Sequence, residues 1–213
     1  MAGEADGAAQ RSSLISVGQL AFFSAETDEP AIDDLAGLLA GPGQSAPVYA
    51  GADPIGTRVS VIVAERWRAD AIVAQVRTVG LDAEVITSDE GNPLARTAPS
   101  PRLDELHRRW STGAVKTMPT AWVPTPHALR FWVLAAGRTD PTGQYLLGLD
   151  AHCPDSHPVL ATALMRVGIA PTFVGNRIGA PALRVGRRRL ARLAEYVGPP
   201  PPGATAREWP GAG

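Results

Sequence analysis

Two stretches decide how this chain is read: Leu35-Ala-Gly-Leu-Leu-Ala-Gly-Pro-Gly43 and Leu129-Arg-Phe-Trp-Val-Leu-Ala-Ala-Gly137. Each is a short apolar run that closes on glycine. The first opens behind Asp33 and Asp34, acids suited to the positive end of a helix dipole. The second opens behind Thr125 as N-cap and Pro126 at the first helical position. Both end in a small-residue turn.

Outward from the first stretch, residues 32–40 read as a helix stopped by Gly41, Pro42 and Gly43. Residues 58–64 are β-branched and strand-like. Residues 69–79 carry Ile72, Val73, Val76 and Val79 at helical spacing, with Gly80 as the stop. Residues 81–87 and 94–97 read as strands around a Ser-Asp-Glu-Gly-Asn-Pro turn, and residues 101–110 as a helix capped by Ser100. After the second stretch the same order returns. Residues 138–150 form a hairpin around Asp-Pro-Thr-Gly, residues 158–167 a helix, residues 170–174 and 182–185 two strands, and residues 187–197 a closing helix. The predicted organisation is a leader over 1–30, partly disordered, with a strand-like run at 14–23. A first repeat over 31–110, a connector over 111–124 and a second repeat over 125–197 follow. A Pro/Gly-rich tail over 198–213 is expected to be disordered.

Composition bounds the function. A chain of 213 residues with 45% hydrophobic content can bury a substantial core, and no apolar run reaches the ~18–20 residues of a membrane span. The acidic start lacks the features of a secretory signal, and a cytoplasmic location is expected. Cys153 is the sole cysteine, which excludes an internal disulfide framework. Lys116 is the sole lysine; with abundant Ala, Gly and Pro, this cation bias is expected of GC-rich bacterial coding. The formal net charge of -1 argues against a uniformly cationic surface, but from Ser100 onward 14 Lys+Arg face 7 Asp+Glu.

The repeated order and the local sequence resemble the two-repeat, single-chain LAGLIDADG homing endonucleases. The run Pro124-Thr-Pro-His-Ala-Leu-Arg-Phe-Trp-Val-Leu-Ala-Ala-Gly137 resembles that family's Leu-Thr-Pro followed by an aromatic-rich Trp-Phe-Met-Asp-Asp-Gly. Upstream, Leu103-Asp-Glu-Leu-His-Arg-Arg-Trp110 is similar to its helix ending in an aromatic, and Lys116-Thr-Met-Pro119 to its connector. The resemblance covers residues 32–197 and implies an α+β fold, a pseudo-twofold duplication of an αββαββα unit. It also implies that the two opening helices pack side by side, with Ala36, Gly37, Ala40 and Gly41 facing Ala128, Ala135 and Ala136.

In the active enzymes, the last acid of each helix helps bind a divalent metal that activates water. Here Pro42 and Ala136 stand at those positions and neither carries an acceptor. The expectation is therefore no catalytic residue, no metal ligand and no cofactor. Asp53 and Asp140 follow the two helices, several residues on in predicted hairpins, as the acids for a displaced site. The resemblance further implies double-stranded DNA as partner, held on a curved sheet, with Arg58, Arg66, Arg96, Arg138, Arg177 and Arg184 on or beside its strands and Lys116 near the active site or the DNA backbone as candidate contacts. Arg187, Arg188, Arg189 and Arg192 form either a phosphate-facing cluster or the wet face of the last helix. The run His152-Cys153-x-x-x-His157 contains zinc-ligand types but reads better as a helix start. The leading expectation is a catalytically inactive DNA-binding or regulatory module, monomeric with internal pseudo-symmetry. The alternatives are a protein-interaction scaffold without DNA binding and a residual metal-dependent endonuclease.

Overall fold

The computed structural model describes residues 29–175, 180–205 and 208–211. The leader's strand-like run and Arg177 lie outside them. A 3-10 turn at Ile32–Leu35 leads into α1 (Ala36–Ala40), then β1 (Gln44–Ala50), β2 (Asp53–Ile62), α2 (Arg66–Thr78), β3 (Ala83–Thr87) and β4 (Pro93–Thr97). A second 3-10 turn, Pro101–Leu103, opens α3 (Asp104–Trp110). The connector contains a small hairpin of β5 (Ser111–Thr112) and β6 (Val115–Lys116). The second repeat runs α4 (Pro126–Ala136), β7 (Gly137–Thr139), β8 (Tyr145–Gly148), α5 (Ser156–Arg166), β9 (Pro171–Val174), β10 (Ala182–Val185) and α6 (Arg187–Val197).

The two four-stranded sheets have the same antiparallel order, β1-β2-β4-β3 and β7-β8-β10-β9. Their registers correspond as well. Val61 lies opposite Ala95, and Leu147 lies opposite Leu183, each pair facing the buried side. Because side chains alternate along a strand, this match makes Arg96 and Arg184 equivalent positions on the other face. The αββαββα duplication is thus present down to the pairing of individual residues.

One continuous core joins the repeats. Its centre is the contact between α1 and α4, where Gly37 is essential: a Cβ there would fall 1.7 Å from the carbonyl oxygen of Ala128. A step along, Gly41 lies against Trp132 and Ala135. The helix starts are joined too. The buried Asp34 accepts hydrogen bonds from Ala31 N–H at 2.7 Å and from the Thr125 hydroxyl, which itself accepts from Ala128 N–H as the N-cap of α4. Asp34 is therefore a tie between repeats as well as a helix-start acid.

Two sequence expectations need correction. Strand β1 was not marked in the sequence, because Pro47 interrupts its pattern; as an edge strand it needs no ladder donor there. Within the tail expected to be disordered, described residues instead pack back on the core. Trp209 is 2% exposed, its indole N–H reaches Gly198 O at 2.8 Å, and Arg130 stacks on its ring. Tyr145 donates to Glu208 O at 3.0 Å. A buried indole removes enough apolar surface from water to order a segment whose average composition argues otherwise. Among the described residues no helix is long and apolar enough to cross a membrane.

Candidate functional site

The C-terminal ends of α1 and α4 leave carbonyl groups that a regular helix cannot satisfy internally, and this is the negative end of each dipole. At α1 the cation that answers is Lys116, delivered by β6 of the connector. Its ammonium donates to Gly41 O at 2.7 Å, Gly43 O at 2.8 Å and the Asp150 Oδ2 atom at 3.0 Å. All three N–H donors are used. Asp150 follows β8 of the other repeat and is 5% exposed; Gln44 also donates to its Oδ2 at 2.8 Å, and His152 N–H to its Oδ1 at 2.9 Å. The buried His157 imidazole donates from Nε2 to the Asp150 carbonyl at 2.8 Å, which fixes the backbone beneath the carboxylate.

Burial opposes charge on both partners. For Lys116 it outweighs the attraction of Asp150 and holds the ammonium pKa below its ordinary value. For Asp150 the opposite balance holds. Burial is overcome by the His152 N–H, the Lys116 charge and the Gln44 amide, which keep the carboxyl below the usual carboxylate range.

At α4 the answering cation is Arg68, from α2 of the first repeat. It is 5% exposed and donates to Val133 O at 3.0 Å, Leu134 O at 3.2 Å and Gly137 O at 2.7 Å. Glu65 supplies its counter-charge, and Trp67 lies under the guanidinium at 4.6 Å. Sequence reading passed over both Arg68 and Asp150. A signal existed for Arg68: it sits at i and Ile72 and Val76 at i+4 and i+8, all on the buried face of one helix.

The remaining sequence-predicted residues divide. Arg58, Arg96, Arg138 and Arg184 all lie on the sheet faces turned away from the helices, as their register with Ala46, Ser60 and Leu146 requires. Arg96 is paired with Glu84 at 2.7 Å. Arg184 lies 3.7 Å from Asp140, too far for a hydrogen bond. Arg58 and Arg184 each have a Nε atom with no acceptor, and Arg138 has no polar partner among the described residues. Arg66 does not join them. The strand has ended at Ile62, so Arg66 opens α2, exposed, in an ion pair with Asp70 at 2.9 Å. Lys116 is at the centre between the repeats rather than on a sheet face.

The acids that follow Pro42 and Ala136 in the chain are also placed. Asp140 closes the β7–β8 turn, accepting from Thr142 N–H at 2.8 Å, the Thr142 hydroxyl and Gln144 N–H; the Thr142 hydroxyl is the main reason its pKa lies below the ordinary value. Asp53 starts β2 at the hairpin tip opposite Ala50. Pro42 is exposed and Ala136 packs against Gly148. His152 is 95% exposed while His157 is buried, so the His152-Cys153-His157 run does not converge; the Cys153 thiol instead points to Lys116 O. A surface depression where the repeats meet is lined by Pro42, Gln44, Ile62, Leu94, Asp150 and His152.

Solved structures resemble this arrangement. The homing endonuclease I-WcaI bound to its DNA recognition sequence superposes with a TM-score of 0.56 at 14% identity, over 78% of this chain and 79% of that one. This chain has the LAGLIDADG homing-endonuclease-like fold. The homing endonuclease I-DmoI in complex with DNA and Ca matches it with a TM-score of 0.53 at 15% identity, over 80% of this chain and 92% of that one. Full-length DUF199/WhiA from Thermatoga maritima matches with a TM-score of 0.55 at 14% identity, over 80% of this chain but 55% of that protein. No family model matches the sequence, and no curated protein matches it significantly. The LAGLIDADG-like duplication is therefore carried by the fold where sequence identity has fallen very low.

Proposed function

We propose that this protein binds double-stranded DNA without cutting it. The observation that carries the reading is a division among its cations. Lys116 and Arg68 are committed to helix carbonyls and carboxylates, whereas Arg58, Arg138 and Arg184 lie on the outer sheet faces, Arg138 exposed and Arg184 held by an acid only at 3.7 Å. Guanidinium groups on an outer sheet face suit phosphates and base edges, and the DNA-bound LAGLIDADG-fold enzymes supply the precedent for a duplex on this fold.

The centre supports the absence of cleavage. The acid positions at Pro42 and Ala136 are empty of oxygen ligands, and the carboxylate present there, Asp150, already accepts from Lys116, Gln44 and His152. A divalent ion at that place would have to displace a fully hydrogen-bonded ammonium. The protein acts as a monomer whose two repeats supply the two halves of the binding face.

Titrating the full chain against random-sequence duplex at rising salt tests the DNA reading. Affinity should fall steeply, and Arg138→Gln with Arg184→Gln should lower the salt slope by about two. Binding that is absent at low salt, or indifferent to salt, overturns it. A plasmid nicking assay with Mg²⁺ and Mn²⁺ tests the second half. No nicking is expected, and metal-dependent nicking lost in Asp150→Asn would overturn the inactive assignment.

A further inference from the structure

Resting on that DNA-binding reading, we infer that the two repeats read chemically different half-sites: thymine methyl groups by the first, guanine by the second. The inference comes from comparing equivalent rows across the outer faces. In the first repeat, Ile62 lies opposite Leu94 and Leu94 opposite Ile86, a lateral aliphatic row over three adjacent strands. These residues share the face of Arg58 and Arg96, since they lie an even number of residues away on the same strands. The row is not core: Ile62 is 46% exposed, and Leu94 and Ile86 are half-buried, while the alternating Val61 and Ala95 are 2% exposed beneath them. It borders the depression between the repeats.

The equivalent row of the second repeat is Gly148, Ala182 and Val174. Its first two members are small and buried, and reach nothing beyond the sheet. Reach there comes from the next row, where Arg138 lies opposite Leu146 and Leu146 opposite Arg184. Arg138 has no acid partner among the described residues and Arg184 is ion-paired with Asp140 only at 3.7 Å, whereas the first repeat's counterpart, Arg96, is tied to Glu84 at 2.7 Å. An aliphatic row flanked by cations has the right chemistry for a major groove lined by thymine 5-methyls between phosphates. The exposed guanidinium of Arg138 suits the O6 and N7 acceptors of guanine. An A·T-rich half beside a G-containing half is the asymmetric duplex these two faces fit.

The test uses the full chain and a random-sequence duplex pool, enriched by repeated binding to obtain a preferred site. That site is then remade with deoxyuridine in place of thymine, which preserves pairing and removes only the methyl group. Deoxyuridine in one half should weaken binding by about fourfold per methyl lost, and in the other half should change little. Ile62→Ser, at an exposed position, should bind the thymine duplex as weakly as the wild type binds the deoxyuridine one. Arg138→Gln should leave the thymine effect intact and relax the guanine preference. Salt-dependent binding with equal affinity for thymine and deoxyuridine duplexes, in both wild type and Ile62→Ser, overturns this inference alone. No binding to any duplex overturns the DNA reading as well, and leaves the aliphatic row as a protein-docking face.

Discussion

The two central helices meet the same electrostatic problem at their C-terminal ends and resolve it differently. Helix α1 stops in a Gly-Pro-Gly turn at the surface, and its carbonyls are met by Lys116, which shares Asp150 with Gln44 at the edge of a solvent-facing depression. Helix α4 runs into β7 inside the core, and its carbonyls are met by Arg68, sealed under Trp67 and Glu65. In each case charge comes from outside the helix's own repeat: Lys116 from the connector with Asp150 from the second repeat, Arg68 from the first. The cation type follows the geometry. A forked guanidinium spans three carbonyls on one helix end, whereas a compact ammonium fits where two carbonyls and a carboxylate converge. The lesson is that each helix end is satisfied by a cation brought from elsewhere in the chain.

The comparison can be broken most forcefully at Arg68. Arg68→Met strands three carbonyls and Glu65, and should cost about 3–5 kcal/mol of unfolding free energy, measured by denaturant titration. A loss below ~1 kcal/mol would mean that the α4 end does not need its cation. Lys116→Met should cost less, roughly 2–3 kcal/mol, because water reaches that site more readily. Combining it with Asp150→Leu should cost less than the two single losses added together, as expected of partners in one network. The smallest effect separates the ends by pH. Since the folded-state pKa of Asp150 lies below its ordinary value, its contribution is fully present above that ordinary value. It is lost as pH falls through the lowered folded value. Asp150→Asn should therefore be less stable near neutrality by about 1–2 kcal/mol and lose less on acidification. An acid-unfolding profile unchanged by that substitution would remove Asp150 from the account.

Much of the duplication was legible in the sequence because it depends on local signals. Ser100 and Thr125 do cap their helices, Gly80 does stop α2, and the Asp140 turn is where its Asp-Pro-Thr-Gly places it. Lys116 was legible through resemblance as a basic residue near the active site or the DNA backbone; only the structure shows its three donors committed to Gly41, Gly43 and Asp150. Asp150 carries no local signature, being an acid after a hairpin, and its importance arises from Lys116 and Gln44, distant in sequence. Arg66 and Arg68 illustrate the same limit. Two residues along a helix point to different sides, so one is solvated and the other buried, and strand-adjacent arginines cannot be sorted by proximity alone. The tail escaped because composition averages over sixteen residues, whereas Trp209 acts by itself.

The sequence alone determined most of the order of elements and the absence of acids at Pro42 and Ala136, and through the resemblance it implied the small-residue contact between α1 and α4, since these follow from local propensity and residue identity. Tertiary structure decided which cations are spent internally and which face outward, and it brought Lys116 to Asp150 and Ile62 to Leu94 and Ile86. The physical reason is that charge commitment and surface chemistry depend on distances between residues far apart in the chain, and on how water is excluded around them.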